Sequence, residues 1–454
     1  MPWWTRASVI PDDKMERTVS YIPDDKMERT VSYSPRARIW EAFKKNRLAY
    51  FSLWFVGFLA TVALLADFLA YNKPIVASYR GQVIWPIFRD YWEAWSGRSV
   101  WQPELRKADW RALSLDWALW PLVRYSPEEL DLRNAPAVGP FDEQVIRTPA
   151  ERHYLGTDNL GRDVLAGLIH GSRVSLTVGL VSVGISALIG ILLGAFAGYF
   201  GDHSLQVSRA TLWFGLPGSL LGLYYGFYLR RYALGEALSE GFFSFVGSLL
   251  VSVGVVALVT ALVWLPSRLL KKTRWGSRRV HVWVDLSISR LIEVMISLPT
   301  TLLIFTVAAI AKPSLFLVMA VIGVTSWTGI ARFTRGEMLK VRSLDYIQAA
   351  RALGYSDLRI MFLHALPNSL APVLVSIAFG VASAILVESG LSFLGIGVPP
   401  TTVTWGSLLA AARSATGAWW LAVFPGLAIF VVVTLFNVLG EGLRDAIDPR
   451  LQAR

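Results

Sequence analysis

Residues 346–367 read YIQAARALGYSDLRIMFLHALP, a polar and basic segment between two strongly apolar stretches. Its own chemistry describes a hairpin of two short helices. Ser343 is placed to cap a first helix that starts at Leu344, with Asp345 favourable at the positive end. That helix runs through Gln348, Ala349 and Ala350, and Gly354 suits the left-handed position that ends a helix. Ser356 is placed to cap a second helix, from Asp357 to about Ala365, which Pro367 stops. Alanines give the first helix a low-relief face that another protein can approach closely. Arg351 and Arg359 supply charge-assisted contacts around it. The plainer reading is an amphipathic loop at a membrane surface.

The flanks place the segment in a membrane protein. Apolar residues make up 54% of the 454, charged residues only 17%, and the mean hydropathy is +0.46. These values imply membrane helices mixed with polar segments. A helix that crosses the bilayer needs about 20 apolar residues. Eight stretches qualify: 48–70, 174–199, 210–228, 242–265, 286–311, 314–331, 369–395 and 419–440. The third holds Gly215, Pro217 and Gly218 and is expected to be broken or to lie partly in the interface.

The net charge of +11 comes from Lys and Arg that flank apolar runs, which indicates membrane orientation and not nucleic-acid binding. Arg36, Arg38, Lys44, Lys45 and Arg47 precede the first stretch. Arg268, Lys271, Lys272, Arg274, Arg278 and Arg279 follow the fourth. Arg332, Arg335, Lys340, Arg342, Arg351 and Arg359 follow the sixth, and Arg444, Arg450 and Arg454 end the chain. With eight crossings all four groups, and both termini, fall in the cytoplasm. The opposite short loops hold only Arg230, Arg231, Lys312 and Arg413.

Residues 71–173 then lie outside. Trp85, Trp92, Trp95, Trp101, Trp110, Trp117 and Trp120 suit a small core or an interfacial belt, in a subdomain resting on the membrane. The tail before the first stretch carries IPDDKMERTVSY at 10–21 and again at 22–33. No core-forming pattern accompanies it. It reads as a disordered tail made by gene slippage or a mis-set start, or as a docking motif. The first apolar run begins too deep for a secretory signal. The absence of cysteine excludes disulfide and thiolate chemistry.

Gly190, Gly194 and Gly198 lay a groove along one helix face. It serves helix packing or a mobile, substrate-facing surface. Glu388 is an intramembrane acid, held by an inter-helix hydrogen bond or placed at a translocation path or gate. Asp285, Arg290 and Glu293 are spaced for an ion-pair cluster. Pro399 and Pro400 before Trp405 suggest a turn re-entering the outer interface, a plain loop or the border of a docking site. No phosphate-binding G-x4-G-K-[ST], nucleotide fingerprint, zinc-protease or nucleophile-elbow motif occurs, and five scattered histidines offer no metal spacing. An enzymatic role of its own and a bound metal are not expected.

The spacing of Gln348, Ala349, Ala350, Gly354, Leu366 and Pro367 resembles the EAA loop of importer-type ABC permeases, E-A-A-x3-G-x9-I-x-L-P. Gln348 stands for the Glu and His364 for the Ile. YLGTDNLGRDVLAGLIHGSRVSL at 154–176 resembles the segment before the second core helix of the C-type permeases of dipeptide and oligopeptide importers. VESGLSFLGIGVPPTTVTWGSLL at 387–409 and NVLGEGLRDAIDPRL at 437–451 resemble their last outer loop and C-terminal end. The first stretch and YNKPIVASYRGQVIWPIF resemble the longer-looped branch that includes microcin C-type peptide permeases. Residues from about 203 to 280 and the repeated tail have no counterpart in that family.

The resemblance implies an all-α polytopic bundle of the type I ABC importer fold, with six core helices and two inserted ones. Its domains would be a tail 1–47, a first span 48–70, an outer loop 71–173 and a permease domain 174–454. The insertion falls at about 203–280 and the coupling loop at about 343–367. The implied function is ATP-driven import of di- or oligopeptides by alternating access, in a bacterial-type inner membrane. Implied partners are a second permease, two ATPase subunits and an extracytoplasmic substrate-binding protein, in contact with lipid and without nucleic acid. ATP and Mg would bind to the ATPases and no cofactor to this chain. Gln348, Ala349, Ala350, Arg351, Gly354, Leu366 and Pro367 would form the ATPase-coupling loop. Nickel, glutathione or another small solute is the alternative cargo. An ion-coupled secondary transporter would show inverted repeats, and none stands out beyond the tail. A membrane scaffold would not need the loop's spacing.

Overall fold

The computed structural model describes residues 35–447, apart from 100, 102, 107, 203, 204, 241, 311 and 416. The tandem repeat, Arg450 and Arg454 lie outside the described residues.

The chain enters through α1 (Pro35–Lys45) and α2 (Arg47–Leu64). Asn46 separates them, and its side chain accepts the Ala49 N–H at 3.2 Å as an N-cap. The first span was expected to reach 70, but α2 ends at Leu64 and a single turn, α3 (Ala66–Leu69), follows. Asp67 explains the break: its carboxylate receives Arg173 Nη2 at 2.8 Å. Burying that charge in a continuous apolar helix would cost more than turning the chain.

Strands β1 (Val76–Tyr79) and β2 (Gln82–Ile84), helices α4 (Pro86–Ser96) and α5 (Pro103–Arg106), and β3 (Trp117–Leu119) follow. The strands form an antiparallel sheet in the order β2-β1-β3, a β element that an all-α expectation omitted. Trp101 and Trp110 are buried with Ala77, Ile84 and Leu105, while Trp85, Trp92, Trp95 and Trp117 remain exposed. The tryptophans thus divide between a small core and an outer surface.

Helix α6 (Val164–Phe200) begins ten residues before the expected 174. Asp163 starts it by accepting the Ala166 N–H at 2.7 Å. Strand β4 (Gln206–Ser208) leads to α7 (Arg209–Leu223), which a π segment, Tyr224–Tyr228, extends without a break at Pro217. Helix α8 (Arg231–Glu240) connects to α9 (Phe242–Leu270). Close approach replaces the expected break. A Cβ on Gly222 would lie 2.8 Å from the Val256 carbonyl oxygen, and one on Gly226 2.7 Å from that of Ser252. Strand β5 (Arg279–His281) then pairs antiparallel with β4.

The fifth apolar stretch is two helices, α10 (Val284–Ser297) and α11 (Thr300–Ile310), bent by 73°. The cause is local. Leu298, the residue before Pro299, is extended, as proline requires of its predecessor. Then come α12 (Leu315–Val341), α13 (Asp345–Ala352), α14 (Asp357–Ile360), α15 (Leu366–Phe393), α16 (Trp405–Ala411) and α17 (Trp419–Ile447). Among the described residues six helices are long and apolar enough to cross a membrane, and the bent pair adds a seventh. Helix α7 alone is 15 residues, and only its π extension brings it near the length expected of an eighth.

The bundle core gathers Leu176, Val178 and Val183 of α6, Ile322 of α12, Val381 and Ile385 of α15, and Val432 and Phe436 of α17. Gly190, Gly194 and Gly198 fit α6 against the α12 backbone. A Cβ on Gly190 would stand 2.8 Å from the Trp327 carbonyl oxygen, and one on Gly198 2.6 Å from that of Arg335. A Cβ on Gly194 would collide with the Ala331 carbonyl. Gly198→Val is therefore expected to separate the helices and destabilise the fold by at least about 1–3 kcal/mol. Gly184→Ala, with nothing within 4 Å of its added Cβ, is expected to be neutral. Thermal unfolding in detergent, followed by monodispersity, checks both.

Candidate functional site

The segment 345–365 is not a free hairpin of two short helices. Helix α13 ends in a Schellman turn: Tyr355 N–H donates to Ala350 O at 3.3 Å and Gly354 N–H to Arg351 O at 2.9 Å. Gly354 has φ +81°, the left-handed region that glycine enters without a Cβ penalty. The second arm continues into the membrane. After α14, the π segment Met361–Ala365 joins directly to α15. Pro367 was expected to stop this arm and does not. Leu366 N–H donates to Met361 O, five residues back. That wider turn gives room for the proline ring, and the N–H that proline lacks falls in the irregular register.

The two expected serine caps are also corrected. Ser343 Oγ donates to Lys340 O at 2.7 Å, closing the end of α12, and Leu344 stands at the start of α13 without a side-chain cap. Ser356 occupies the N-cap position of α14 with extended backbone but makes no capping bond.

What fixes this elbow is burial below and a polar clamp beside it. Ile347, Ala350, Ile360, Met361 and Ala365 are buried with Tyr199, Met338 and Val341. Each large aliphatic of that set contributes about 1.5–3 kcal/mol relative to exposure. Tyr199 Oη donates to Asp357 Oδ1 at 3.0 Å, Arg351 Nε lies 3.5 Å from the same oxygen, and the Arg351 guanidinium covers the Tyr199 ring at 5.3 Å. Arg342 Nη1 donates to the carbonyls of Gly198 at 3.2 Å and Tyr199 at 3.4 Å. Gln348 Nε2 donates to Arg342 O at 3.3 Å, a bond that a Glu in its place has no proton to make.

The outward face differs from the expected alanine pair. Ala350 is buried, so only Ala349 of the two is presented. Leu353, 75% exposed, and Leu358, 51% exposed, flank Gly354 together with Tyr355. Arg359 lies over the Tyr355 ring at 4.7 Å. The surface is an apolar knuckle rimmed by cations. Leu366 is half-buried and Pro367 exposed, both inside the helix and not at the knuckle.

A second feature is a cavity of about 360 Å³ where α6, α12 and α15 meet. Ser186, Ser326, Ser376 and Ser383 line it beside Phe379 and Gly380, and Ser186 Oγ donates to Gly323 O at 2.8 Å. Glu388 does not line it. The carboxyl is fully buried between α6 and α15, accepting from Ser392 Oγ at 2.6 Å and weakly from Ser175 Oγ at 3.4 Å and Ser389 Oγ at 3.5 Å. Above it Trp405 is buried and donates from Nε1 to Leu168 O at 3.0 Å. The expected cluster at the foot of α10 is split. Arg290 pairs with Glu293 at 2.7 Å, but Asp285 pairs with Arg335 of α12, whose Nη2 lies 2.7 Å away. The guanidinium across the helix interface offers two donors where Arg290 already has a partner.

Sequence reasoning missed the Tyr199–Asp357–Arg351 clamp, which joins residues more than 150 positions apart. It also missed His153, fully buried with Nδ1 2.7 Å from Asp163 Oδ2. The run Thr157–Asp158 before Asp163, an N-cap ahead of an apolar stretch, was the available signal for that site and for the true start of α6. A cavity of about 450 Å³ at Trp110, Arg111, Glu129 and Asp131 lies in the 71–163 region. Burial pushes the Glu129 carboxyl up, and the Arg111 guanidinium against it opposes the shift. Its charges are spent on one another.

Residues 274–453 match the family described as binding-protein-dependent transport system inner membrane component. Residues 34–82 match the N-terminal transmembrane domain of oligopeptide transport permease C. The chain is 32% identical over 331 residues to the di/tripeptide transport system permease protein DppC of Pseudomonas aeruginosa, covering 70% of this chain and 83% of that one. The chain belongs to the ABC peptide-permease family. The permease is also 28% identical over 433 residues to the peptidoglycan transport system permease protein YejE of Agrobacterium fabrum, covering 91% and 92% of the two chains. It is 28% identical over 369 residues to the glutathione transport system permease protein GsiD of Pectobacterium atrosepticum, covering 81% and 96%. It is a multi-pass inner membrane transport subunit with a type I fold, not an enzyme.

Replacing Glu388 by Ala in the permease is expected to strip three hydroxyls of their acceptor and leave a void. The cost is about 2–4 kcal/mol, with Glu388→Gln losing less. Comparing the unfolding midpoints of the two variants in detergent checks the ordering.

Proposed function

We propose that the permease imports di- or oligopeptides by alternating access, paired with a second permease and driven by two ATPase subunits that grip the elbow around Gly354. The observation that carries this reading is the continuity of the elbow with α15. One arm carries the exposed knuckle and runs on as the helix that lines the serine cavity. A push on Leu353 and Leu358 would be transmitted along a clamped, buried joint, where a loose loop would absorb it. The EAA-like spacing points the same way. ATP and Mg would bind to the ATPases, and a substrate-binding protein would deliver cargo on the side of the 71–163 region. The Lys and Arg groups beside the elbow support a cytoplasmic side for it and for both termini.

The cavity supports a peptide-like cargo. The serines of its lining offer hydroxyls to backbone amides without demanding one side chain, Ser186 as an acceptor only because its proton is held by the Gly323 carbonyl. The relatives named for glutathione and peptidoglycan carry the same class of peptide-bearing solute in their names. Nickel receives no support, since no group of three or more His, Cys, Asp and Glu able to hold a metal occurs among the described residues.

Gly354→Val tests the grip. No atom lies within 4 Å of the added Cβ, so the change acts on the backbone alone, at about 1–2 kcal/mol. ATP-dependent uptake of a labelled tripeptide by vesicles holding the complete transporter is expected to fall at least tenfold, with the subunits still assembled. Uptake at the unaltered rate overturns the coupling assignment. Uptake that persists without ATP or ATPase subunits overturns ATP-driven import.

A further inference from the structure

The foot of the inserted hairpin concentrates positive charge without acidic partners. Between residues 242 and 284 the sequence has six Lys or Arg and no Asp or Glu. Nearer the elbow several cations are paired: Arg335 with Asp285, Lys340 with Glu337, Arg290 with Glu293, and Arg351 with Asp357. Among the described residues no acidic side chain lies within ion-pair distance of Lys271, Lys272, Arg274, Arg278 or Arg279. All but Lys271 are exposed.

These side chains stand on a built platform. Strand β4 pairs with β5, placing Val207 opposite Val280. Arg209 N–H donates to Arg278 O at 2.8 Å, and Ala210 N–H to Gly276 O at 3.3 Å. Thr273 Oγ1 accepts the Gly276 N–H at 3.1 Å, closing the turn. The spacing of the charges is therefore fixed by backbone bonds.

The surroundings indicate what meets them. Helices α7 and α9 present Leu216, Leu220 and Leu262 outward, each about 60% exposed, and in a membrane such faces are wetted by acyl chains. Trp213, 65% exposed, and Trp275, 47% exposed, lie 6.2 Å apart at the same end, where tryptophans mark the headgroup level. Trp264 lies under both Arg268 and Lys271, at 5.4 and 5.2 Å. The unpaired cations project from that level. We propose that the platform formed by the 271–279 turn and the β4–β5 ladder binds the phosphate headgroups of anionic phospholipids. A juxtamembrane cluster of this size attracts anionic lipid. The neighbouring apolar faces select a lipid over a soluble anion. This inference needs only the membrane-spanning fold and is independent of the cargo and of the coupling assignment.

Native mass spectrometry of the full-length permease, with any subunits that accompany it, tests the site. The protein is titrated with phosphatidylglycerol and, separately, with phosphatidylcholine. Wild type is expected to retain the anionic lipid at least fivefold over the zwitterionic one. The variant K271Q/K272Q/R274Q/R278Q/R279Q is expected to lose that preference. The charge-preserving R274K/R278K/R279K is expected to keep it, which separates charge from misfolding. Equal retention of both lipids by wild type overturns the proposal, as does an unchanged preference in the neutral variant. Displacement of the lipid by an equal concentration of inorganic phosphate overturns the lipid as ligand. Loss of an accompanying subunit from the neutral variant, with the lipid preference intact, assigns the platform to a protein partner instead.

Discussion

The fold of the permease depends on how closely α6 and α12 approach. Three glycines let the backbone of one helix touch that of the other over two turns. In a membrane no hydrophobic effect drives helices together, so such dispersion and carbonyl contacts must supply the cohesion. The candidate functional features are all built against this pair. The elbow sits on Tyr199 at the end of α6 and Met338 at the end of α12. The serine cavity opens where α15 leans on both. The Asp285–Arg335 pair pins the bent α10 to the same seam.

Apolar runs gave six of the spans directly, because a continuous hydrophobic stretch has few other fates in a long chain. The errors have local causes. The 73° bend between α10 and α11 came from Pro299, and the early start of α6 from an Asp163 cap lying inside a polar-looking stretch. Pro217 went the other way: a feature that usually breaks helices was absorbed because glycines let α9 pack across it. In the elbow, Gly354 was legible because a left-handed turn leaves one economical residue choice. The fate of Pro367 was not, since a π turn three-dimensionally rescues it and leaves no composition signal. Nor was the Tyr199–Asp357 bond, which depends on register between distant helices.

The inserted hairpin obeys different rules from the core. Its glycines at 218, 222 and 226 pack α7 on α9 as Gly190–Gly198 pack α6 on α12. Yet its outer faces stay apolar and exposed, and its link to α12 includes the Phe245–Phe316 ring pair, 4.5 Å apart. A unit that packs on itself can be added to a six-helix core without disturbing it. Its foot must still close on the core, and the β4–β5 ladder with Leu205 and Val284 against the elbow's buried cluster does so.

That closure bears on how motion would travel. From Asp357 to Phe393 the helix runs on through one irregular turn. Asp357 and Ser376 are therefore separated by about 28 Å of helix at 1.5 Å per residue. A helix of this kind is stiff along its axis but bends where its hydrogen bonds change register. The π segment is such a place, and Met361 and Ala365 within it are fully buried. Packing of that one face on Tyr199 and Met338 restrains the joint against hinging, while Phe362 and Leu363 on the other side stay exposed. A displacement at the knuckle would then be expressed as movement of the whole helix against α6 and α12. The glycine contact between α6 and α12 would stay closed during such a movement, because it lies between those two helices and not on the face that α15 packs against.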